Sequence, residues 1–261
     1  MRRRIFTYWV NDTGRSVPAY IQLCLQTWFE HMPDLELVII NYANLHEWTG
    51  DVIDYKRFLL LPPSMQKDIV SMLTLVRHGG IFMDADTIVT KDIFQEAEKI
   101  PPDKLAMFGN ASGFHHAILI SQLPNNKFIS TAADIAVERL NGIIEEGDSL
   151  QWDYFCNSIS NSVYKDEALR DCLQILDRTE TGNILESHYF LGSAPGEQYL
   201  SFYFGNHDID LDEALSKVKF GAISLHNWWT PEEYKKLTLE QVVESDTMLS
   251  RILKHALVGF L

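Results

Sequence analysis

This chain of 261 residues lacks long apolar runs, and it lacks the clustered positive charge of a nucleic-acid-binding protein. No run reaches the roughly 18 apolar residues that a membrane-spanning helix needs, so we expect a soluble protein. The basic start, MRRRIFTYWV, is not followed by the apolar stretch of a signal peptide, which predicts a cytoplasmic location. The net charge of −14 argues against a nucleic-acid partner, because clustered Lys and Arg bind such partners.

There are only three cysteines, Cys24, Cys156 and Cys172, and no two of them have C-x-x-C spacing. An odd count without that spacing predicts neither a disulfide framework nor a zinc site, and it fits a reducing compartment. Hydrophobic residues make up 46% of the chain and charged residues 22%, which is typical of an ordinary globular protein with a buried core.

Strand-like and helical segments alternate along the first part of the chain. A β-rich run at residues 4–10 is followed by a helical pattern at residues 19–31, for which Ser16 is a candidate N-cap, and by a second β-rich run at residues 35–41. The order strand, helix, strand predicts a parallel pair. The whole pattern predicts an α/β fold with a mixed, mostly parallel central sheet flanked by helices.

A second helix and strand follow the Pro62-Pro63 pair. Ser64 is a candidate N-cap, Gly79 is the predicted end of the helix, and Ile81-Phe82-Met83 is typical of a short buried strand. Further strands are predicted at residues 104–110, 115–121 and 220–229, and further helices at residues 130–147, 151–164 and from Thr230 onwards.

The last segment, residues 247–261, has one apolar and one polar side. Its apolar side comprises Leu249, Ile252, Leu253, Ala256, Leu257 and Phe260. We expect a terminal helix packed on its own domain. The alternative is docking to a second subunit or to a membrane, which would place the protein at the inner face of the membrane. Residues 1–230 are thus expected to form one domain, with residues 231–261 as a helical extension packed on it.

The stretch HGGIFMDADTIVT places Asp84 and Asp86 directly after the short buried strand. Burying an ionised carboxylate without a partner is costly, so we expect a positive group to meet them. In open α/β sheets ligands bind at the carboxyl ends of strands, where this pair lies. Two carboxylates with one residue between them can share one Mg²⁺ or Mn²⁺ ion, which then rests on substrate phosphates. The alternative is an Asx-type turn, because a bare D-x-D also arises by chance.

The context of the pair is more specific. Residues 64–90, SMQKDIVSMLTLVRHGGIFMDADTIVT, resemble the D-x-D glycosyltransferases of family 32 and related capsular polysaccharide synthesis proteins, and more distantly the glucosylating clostridial toxins. The shared pattern is a helix with S-D-x-x-R, followed by L-x-x-x-G-G-x-Y-x-D-x-D. The matching residues are Asp68, Leu75, Gly79, Gly80, Asp84 and Asp86, and Phe82 replaces the usual aromatic residue.

Weaker similarities extend the resemblance over about residues 5–230. FTYWVND, followed by Pro18, Ile21, Cys24 and Trp28, is similar to the family's first strand and helix, and AISLHNWW is similar to its C-terminal element. The resemblance implies a GT-A fold and transfer of a hexose from a nucleotide-sugar donor, with UDP-sugars favoured, to a hydroxyl of a glycan or lipid-linked acceptor. It also implies retention of the anomeric configuration and a role in surface polysaccharide synthesis.

The resemblance implies roles for single residues as well. Asp84 and Asp86 would be the catalytic pair: Asp86 would bind Mn²⁺ or Mg²⁺ directly, and Asp84 would face the ribose or sugar and join the metal shell through water. The ion would neutralise the departing diphosphate without a proton transfer. Asp68 would bind hydroxyls of the donor sugar, with a solvated helix charge beside Lys67 as the alternative. Gly80 would lie in the donor site.

One position departs from the family pattern. The family's Arg, three residues after the helical Asp, is Ser71 here. Ser71 is therefore placed in the donor site, and either the sugar differs or another basic group holds it. Arg77 is near in sequence, but on a helix it faces elsewhere.

Aromatic and imidazole side chains complete the candidate donor and metal site. Trp9 matches a tryptophan that stacks on the nucleobase, with core packing as the alternative, and Asn41 would approach the nucleoside. His226 would complete the metal shell, although a single His is more often structural. Trp228 and Trp229 would form a lid or stack on a sugar. Because neighbours on a strand point to opposite sides, we expect at least one of them to be exposed.

The acceptor-side candidates are His116, at the start of a strand, and Asp153 in QWDYF. Two other functions compete with glycosyl transfer. A phosphohydrolase of the haloacid dehalogenase type also has D-x-D after a buried strand and would use Asp84, but it needs Thr or Val where Ile88 stands. A non-catalytic protein that binds sugar nucleotides or glycans would keep the same fold.

Overall fold

The computed structural model describes residues 2–10, 17–110, 113–143, 150–189 and 191–257. Its strands are β1 (Arg4–Tyr8), β2 (Glu36–Ile40), β3 (Gly80–Met83), β4 (Thr87–Val89), β5 (Leu105–Asn110), β6 (Gly113–Ser121), β7 (Leu173–Asp177) and β8 (Ala222–Ser224). Its helices are α1 (Ala19–His31), α2 (Leu45–Thr49), α3 (Tyr55–Phe58), α4 (Pro63–His78), α5 (Phe94–Ala97), α6 (Lys127–Asn141), α7 (Asn157–Tyr164), α8 (Glu167–Arg170), α9 (Pro195–Phe204), α10 (Leu211–Ser216), α11 (Glu232–Lys235), α12 (Leu239–Glu244) and α13 (Met248–Ala256), with a 3₁₀ helix at Leu185–His188. Ser16 and Phe260, which carried sequence predictions, lie outside the described residues.

The chain divides into two compact units. Unit 1 contains the described residues of Met1–Val10, Glu36–Asp84 and Ala97–Leu176, and unit 2 contains those of Asn11–Leu35, Ala85–Glu96 and Asp177–Leu261. The division falls between Asp84 and Ala85, so the two aspartates of the motif belong to different units.

A six-stranded sheet, apart from the last residue of β7, belongs to unit 1. Among the described residues its strand order is β2-β1-β3-β6-β5-β7. β1 is parallel to β2 and β3, whereas β6 is antiparallel to β3 and β5. β2, β1, β3 and β5 therefore run in one direction and β6 runs in the other, and α4 packs against β1, β3 and β6. The predicted α/β class and the predicted parallel pair of the first two strands are confirmed.

Helix α4 begins before its predicted cap. Pro62 is the N-cap and Pro63 the first helical residue, so Ser64 lies inside the helix and the predicted cap is wrong. Proline suits the first turn, because its φ is already helical and the N–H it lacks would have no partner there. The predicted end is confirmed: Gly79 has a φ of 61° and donates its backbone N–H to the carbonyl of Leu75.

Two glycines turn α4 into β3. Gly80 follows Gly79 with a φ of 98°, in a region that residues with a Cβ atom rarely adopt. A Cβ atom on Gly79 would lie 2.9 Å from a backbone carbon of Leu123, and one on Gly80 would lie 3.2 Å from the ring of Phe6. The close approach of helix and strand therefore depends on both glycines.

Buried Gln66 fixes the first turns of α4 against β1. Its side-chain oxygen accepts hydrogen bonds from the hydroxyls of Tyr8 at 2.6 Å and Tyr42 at 3.0 Å. Its amide nitrogen donates to two backbone carbonyls of the preceding segment at 3.1 and 2.9 Å. A buried amide with all these partners favours one position of the helix, because a shift would leave polar groups unsatisfied.

Unit 2 contains an antiparallel pair, β4 and β8, and α1 packs against β4. The fully buried Trp28 donates its indole N–H to the carbonyl of Thr87 at 2.7 Å. The hydroxyl of Thr27 accepts the backbone N–H of Val89 at 2.9 Å. Two neighbouring side chains of α1 thus bind the backbone of the strand that follows the aspartate motif.

The C-terminal helix α13 packs within unit 2, against α1, α9, α10, α12 and β4. Its apolar residues Leu249, Ile252, Leu253 and Ala256 are buried. The described residues of the apolar side are therefore covered by other elements of the same unit. No helix among the described residues is both long and apolar enough to cross a membrane.

The helix predicted at residues 151–164 is wrong for its first six residues. Residues 151–156 form turns, in which the carbonyl of Asp153 accepts the backbone N–H groups of Cys156 and Ser158, and α7 begins only at Asn157. Within these turns Trp152 is 77% exposed, whereas Phe155 is fully buried in the core.

Candidate active site

Three strands of unit 1 end at the same edge of the sheet. The pairing register of β1 with β2 and with β3 aligns their carboxyl ends, and Trp9, Asn41 and Asp84 are the residues that follow. The backbone N–H of Trp9 donates to the carbonyl of Ile40 at 3.0 Å, and that of Asp84 donates to the carbonyl of Ala117 at 2.7 Å. Three residues predicted to bind the donor therefore lie at the edge where open α/β sheets bind ligands.

A lysine meets Asp84. The Nζ atom of Lys67 on α4 lies 3.2 Å from Oδ1 and 3.3 Å from Oδ2 of Asp84, and 3.0 Å from Oδ1 of Asp68. It also lies 3.3 Å from the carbonyl oxygen of His116. A positive group was expected beside the carboxylates of the motif, and Lys67 of the chain itself supplies one. Its ammonium group also joins Asp84 to Asp68.

The two carboxylates keep this ammonium charged. Burial by itself lowers the pKa of Lys67, but the adjacent Asp68 and Asp84 outweigh burial and raise it above its usual value. The Lys67 side chain is 16% exposed and that of Asp68 is 7% exposed. The interpretation of Asp68 as a solvated helix charge therefore does not describe this pair, which is largely buried.

Ser71 lies one helical turn after Lys67 and is fully buried. Its hydroxyl donates to the backbone carbonyl of Asp68 at 2.8 Å. A serine bonded to its own helix in this way has used its only hydroxyl hydrogen. The cationic side chain near Asp68 is therefore Lys67, and Ser71 contributes no charge.

His116 lies next to this network. Its Nε2 atom is 2.8 Å from the hydroxyl of Ser160, and its side chain is buried. Burial lowers the pKa of His116 to about 4, with a partly opposing contribution from Asp68, so the imidazole is neutral near pH 7. The other acceptor-side candidate, Asp153, lies in the turn before α7.

In unit 2, Asp86 is tied to the loop that follows β8. Its side-chain Oδ2 accepts the backbone N–H of Asn227 at 2.9 Å, and its carbonyl accepts the backbone N–H of Leu225 at 3.0 Å. Tyr20 of α1 donates its hydroxyl hydrogen to the side-chain oxygen of Asn227. His226 thus lies in the chain between Leu225 and Asn227, which both bind Asp86. The predicted metal ligands Asp86 and His226 are therefore close to each other.

His226 also faces a buried acid that the sequence did not indicate. Its Nε2 atom lies 3.9 Å from Oε1 of Glu186, which is 3% exposed. Burial lowers the pKa of His226 to about 4 and raises that of Glu186 to about 7. The ring of His226 packs against those of Trp229 and Tyr199, with centroids 4.3 and 5.5 Å apart. The imidazole is therefore neutral and held on several sides.

The two adjacent tryptophans differ as expected. Trp228 is 91% exposed, whereas Trp229 is partly buried between His226 and Tyr199. An almost fully exposed tryptophan two residues from a neutral histidine is a candidate surface for stacking on a sugar or a base.

Divalent cations fit the chemistry of the aspartate motif. Among the described residues, no group of three or more His, Cys, Asp and Glu side chains is arranged to hold a metal ion. Mg²⁺ and similar ions are commonly bound by one or two carboxylates together with substrate phosphates and water. The carboxylates of the D-x-D motif offer the oxygen ligands that such an ion takes.

Comparison with solved structures finds glycosyltransferases. GlyE from Streptococcus pneumoniae TIGR4 is 16% identical and aligns over 98% of this chain and 63% of its own, with a TM-score of 0.47. The galactosyltransferase LgtC, in complex with donor and acceptor sugar analogues, is 11% identical and aligns over 97% of this chain and 95% of its own, with a TM-score of 0.47. The PaToxG glycosyltransferase is 16% identical over 65% of this chain and 73% of its own, with a TM-score of 0.42.

No curated protein matches the chain at a significant level. The model of the capsular polysaccharide synthesis protein family matches residues 1–190, which include the D-x-D motif, the helix before it and the Lys67 network. This match covers well over half of the 261 residues. As the resemblance of residues 64–90 predicts, the chain belongs to the capsular polysaccharide synthesis protein family.

Proposed function

We propose that the protein is a metal-dependent glycosyltransferase of the GT-A fold, which moves a hexose from a nucleotide sugar, UDP-sugars being favoured, to a hydroxyl of a glycan or lipid-linked acceptor. Transfer proceeds with retention and serves the synthesis of a surface polysaccharide. Family membership supports the pathway. One structural observation supports the chemistry: Trp9, Asn41 and Asp84 follow parallel strands at one sheet edge, and Lys67 joins Asp84 to Asp68 there.

The residues at the sheet edge suit the parts of a nucleotide sugar. The indole of Trp9 offers a face for the base, and Asn41 approaches the nucleoside. Asp68 accepts hydrogen bonds from sugar hydroxyls, because an ionised carboxylate is an acceptor only. Gly80 begins β3, at the end of the strand opposite Asp84, and the ring of Phe6 lies beside it.

Asp86, Asp84 and His226 are the chain's ligands for Mn²⁺ or Mg²⁺. When bound, the ion supplies Lewis-acid stabilisation of the departing diphosphate. The backbone N–H groups of Leu225 and Asn227 hold Asp86, and the rings of Trp229 and Tyr199 pack against His226. Ligands fixed in this way need little rearrangement when the substrate arrives. Trp228 stacks on a sugar, and His116 and Asp153 lie on the acceptor side.

The experiment is hydrolysis of a panel of nucleotide sugars with and without Mn²⁺. We expect one donor to be hydrolysed only with the metal, and Asp86→Ala to lower the rate at least about a hundredfold. The matched control is Asp212→Ala, which removes an exposed aspartate of the same unit and leaves the rate unchanged. Full turnover by Asp86→Ala would refute the metal role. A phosphorylated Asp84 would indicate a phosphohydrolase instead, and tight donor binding without turnover would indicate a non-catalytic binder.

A further inference from the structure

Lys67 has a complete set of partners within unit 1. Its ammonium group has three N–H donors, and three groups surround it: the carboxylates of Asp68 and Asp84 and the carbonyl of His116, all within 3.3 Å. Only 16% of the side chain is exposed. The cation is therefore part of the site and does not belong to the solvated surface of α4.

The charges of this network oppose a metal ion that arrives alone. Lys67 neutralises one of the two carboxylates, and it contacts both oxygens of Asp84. A divalent cation that approaches Asp84 must displace or repel the ammonium, and like charges at such short range interact strongly in a partly buried site. By contrast, the same ammonium group attracts a nucleoside diphosphate, because the diphosphate is negatively charged.

We propose that Lys67 is an internal counter-ion of Asp84 that couples the divalent cation to the donor, so that the cation is retained well only together with a nucleoside diphosphate. When the diphosphate is bound, it supplies the negative charge to which the ammonium can turn, and Asp84 is released towards the cation. Lys67 is thus a positioning residue for Asp84. The inference rests on the proposed function, since it assumes that the site takes a cation and a nucleoside diphosphate.

Opposite effects on the two ligands test the proposal. Loss of the positive charge in Lys67→Met should tighten the binding of Mn²⁺ alone about tenfold and weaken that of UDP alone by a similar factor. The enhancement of Mn²⁺ binding by saturating UDP should fall accordingly, because the enhancement is a coupling between the two sites. Each dissociation constant is measured by calorimetry, with Mn²⁺ also followed by electron paramagnetic resonance.

Three further variants separate charge from packing. Lys67→Gln also removes the charge but keeps hydrogen-bonding atoms, so it should behave like Lys67→Met. Lys67→Arg keeps the charge and should restore the weak binding of Mn²⁺ alone. Lys56→Met removes an exposed lysine of the same unit and should change neither constant.

The outcomes distinguish this inference from the proposed function. If the wild type binds neither Mn²⁺ nor UDP, the proposed function fails. If the wild type binds both, but the neutral variants bind Mn²⁺ alone no more tightly than it does, only the role of Lys67 is refuted. Failure of both neutral variants to fold would also overturn the inference, because Lys67 would then be a permanent structural partner of the two carboxylates.

Discussion

Asn227 holds Asp86 through a backbone N–H that lies 2.9 Å from the carboxylate oxygen. The neighbouring backbone N–H of Leu225 holds the carbonyl of Asp86 at 3.0 Å. The strand pair β4–β8 ends at this point, with Thr87 opposite Ser224. The hydrogen bonds between Asp86 and the loop that carries His226 therefore continue the pairing of β4 with β8. The position of this loop depends on the contacts that fix Asn227.

Tyr20 is that restraint, so Tyr20→Phe should weaken metal use. The fully buried Tyr20 donates to the side chain of Asn227. Its loss should lower the free energy of unfolding by about 1 kcal/mol and leave the loop less fixed. We expect the Mn²⁺ concentration for half-maximal donor hydrolysis to rise severalfold, as measured by a metal titration of the rate.

Tyr234→Phe is the matched control for this change. Tyr234 is a buried tyrosine of the same unit, and its hydroxyl lies 2.7 Å from that of Ser250. Its loss should cost a similar free energy of unfolding and leave the Mn²⁺ titration unchanged. Equal shifts of the metal titration in both variants would show that Tyr20 acts only through stability.

Trp228→Ala should affect ligand binding without affecting stability. With 91% of the side chain exposed, its removal should change the free energy of unfolding by less than about 0.5 kcal/mol. Loss of a stacking partner should raise KM for the donor or the acceptor about three- to tenfold. The measurement is steady-state kinetics with each substrate varied in turn, beside thermal unfolding.

The control for Trp228 is Phe29→Ala, which removes a 44% exposed aromatic side chain from α1 of the same unit. It should leave both KM values unchanged. If Trp228→Ala lowers kcat and leaves both KM values unchanged, the tryptophan has a role other than stacking on a ground-state substrate.

Local signals in the sequence account for much of the fold. The helical pattern at residues 19–31 coincides with α1, because its period is uninterrupted, but the N-cap is Pro18, two residues after the predicted cap. The end of α4 is predicted because only glycine adopts the φ of Gly79 freely. By contrast, β4 has three residues and pairs with β8, far along the chain, and β7 joins the sheet edge; local periodicity contains no information on such long-range pairing.

The same limit applies to the site. Asp84 is predicted at a strand end because the motif and the strand are adjacent in sequence. Lys67 was not predicted as a site residue, since adjacent residues on a helix do not face each other, and only the length of the lysine side chain brings its ammonium to Asp68. Glu186 was not predicted either, because it meets His226 only through tertiary folding and no motif surrounds it.

His116 should make the free energy of unfolding depend on pH. Because its imidazole is buried, the protein should become less stable as the pH falls. Its pKa is about 4 in the folded protein against an ordinary value of 6.5, because burial disfavours the charged imidazole. Between these values the unfolded chain binds more protons than the folded one. Above pH 6.5 the neutral imidazole therefore makes its full contribution to the free energy of unfolding, about 3 kcal/mol. This contribution is lost as the pH falls towards 4.

His116→Gln tests this, because glutamine does not titrate and can still bond to Ser160. We expect the free energy of unfolding of the wild type, measured with urea between about pH 7.5 and 4.5, to fall more steeply than that of the variant. His226, whose pKa is also lowered, titrates in both proteins and cancels in the comparison. His207→Gln changes an exposed histidine and should follow the wild type. Parallel curves for His116→Gln and the wild type would show that the His116 imidazole is not held neutral by burial.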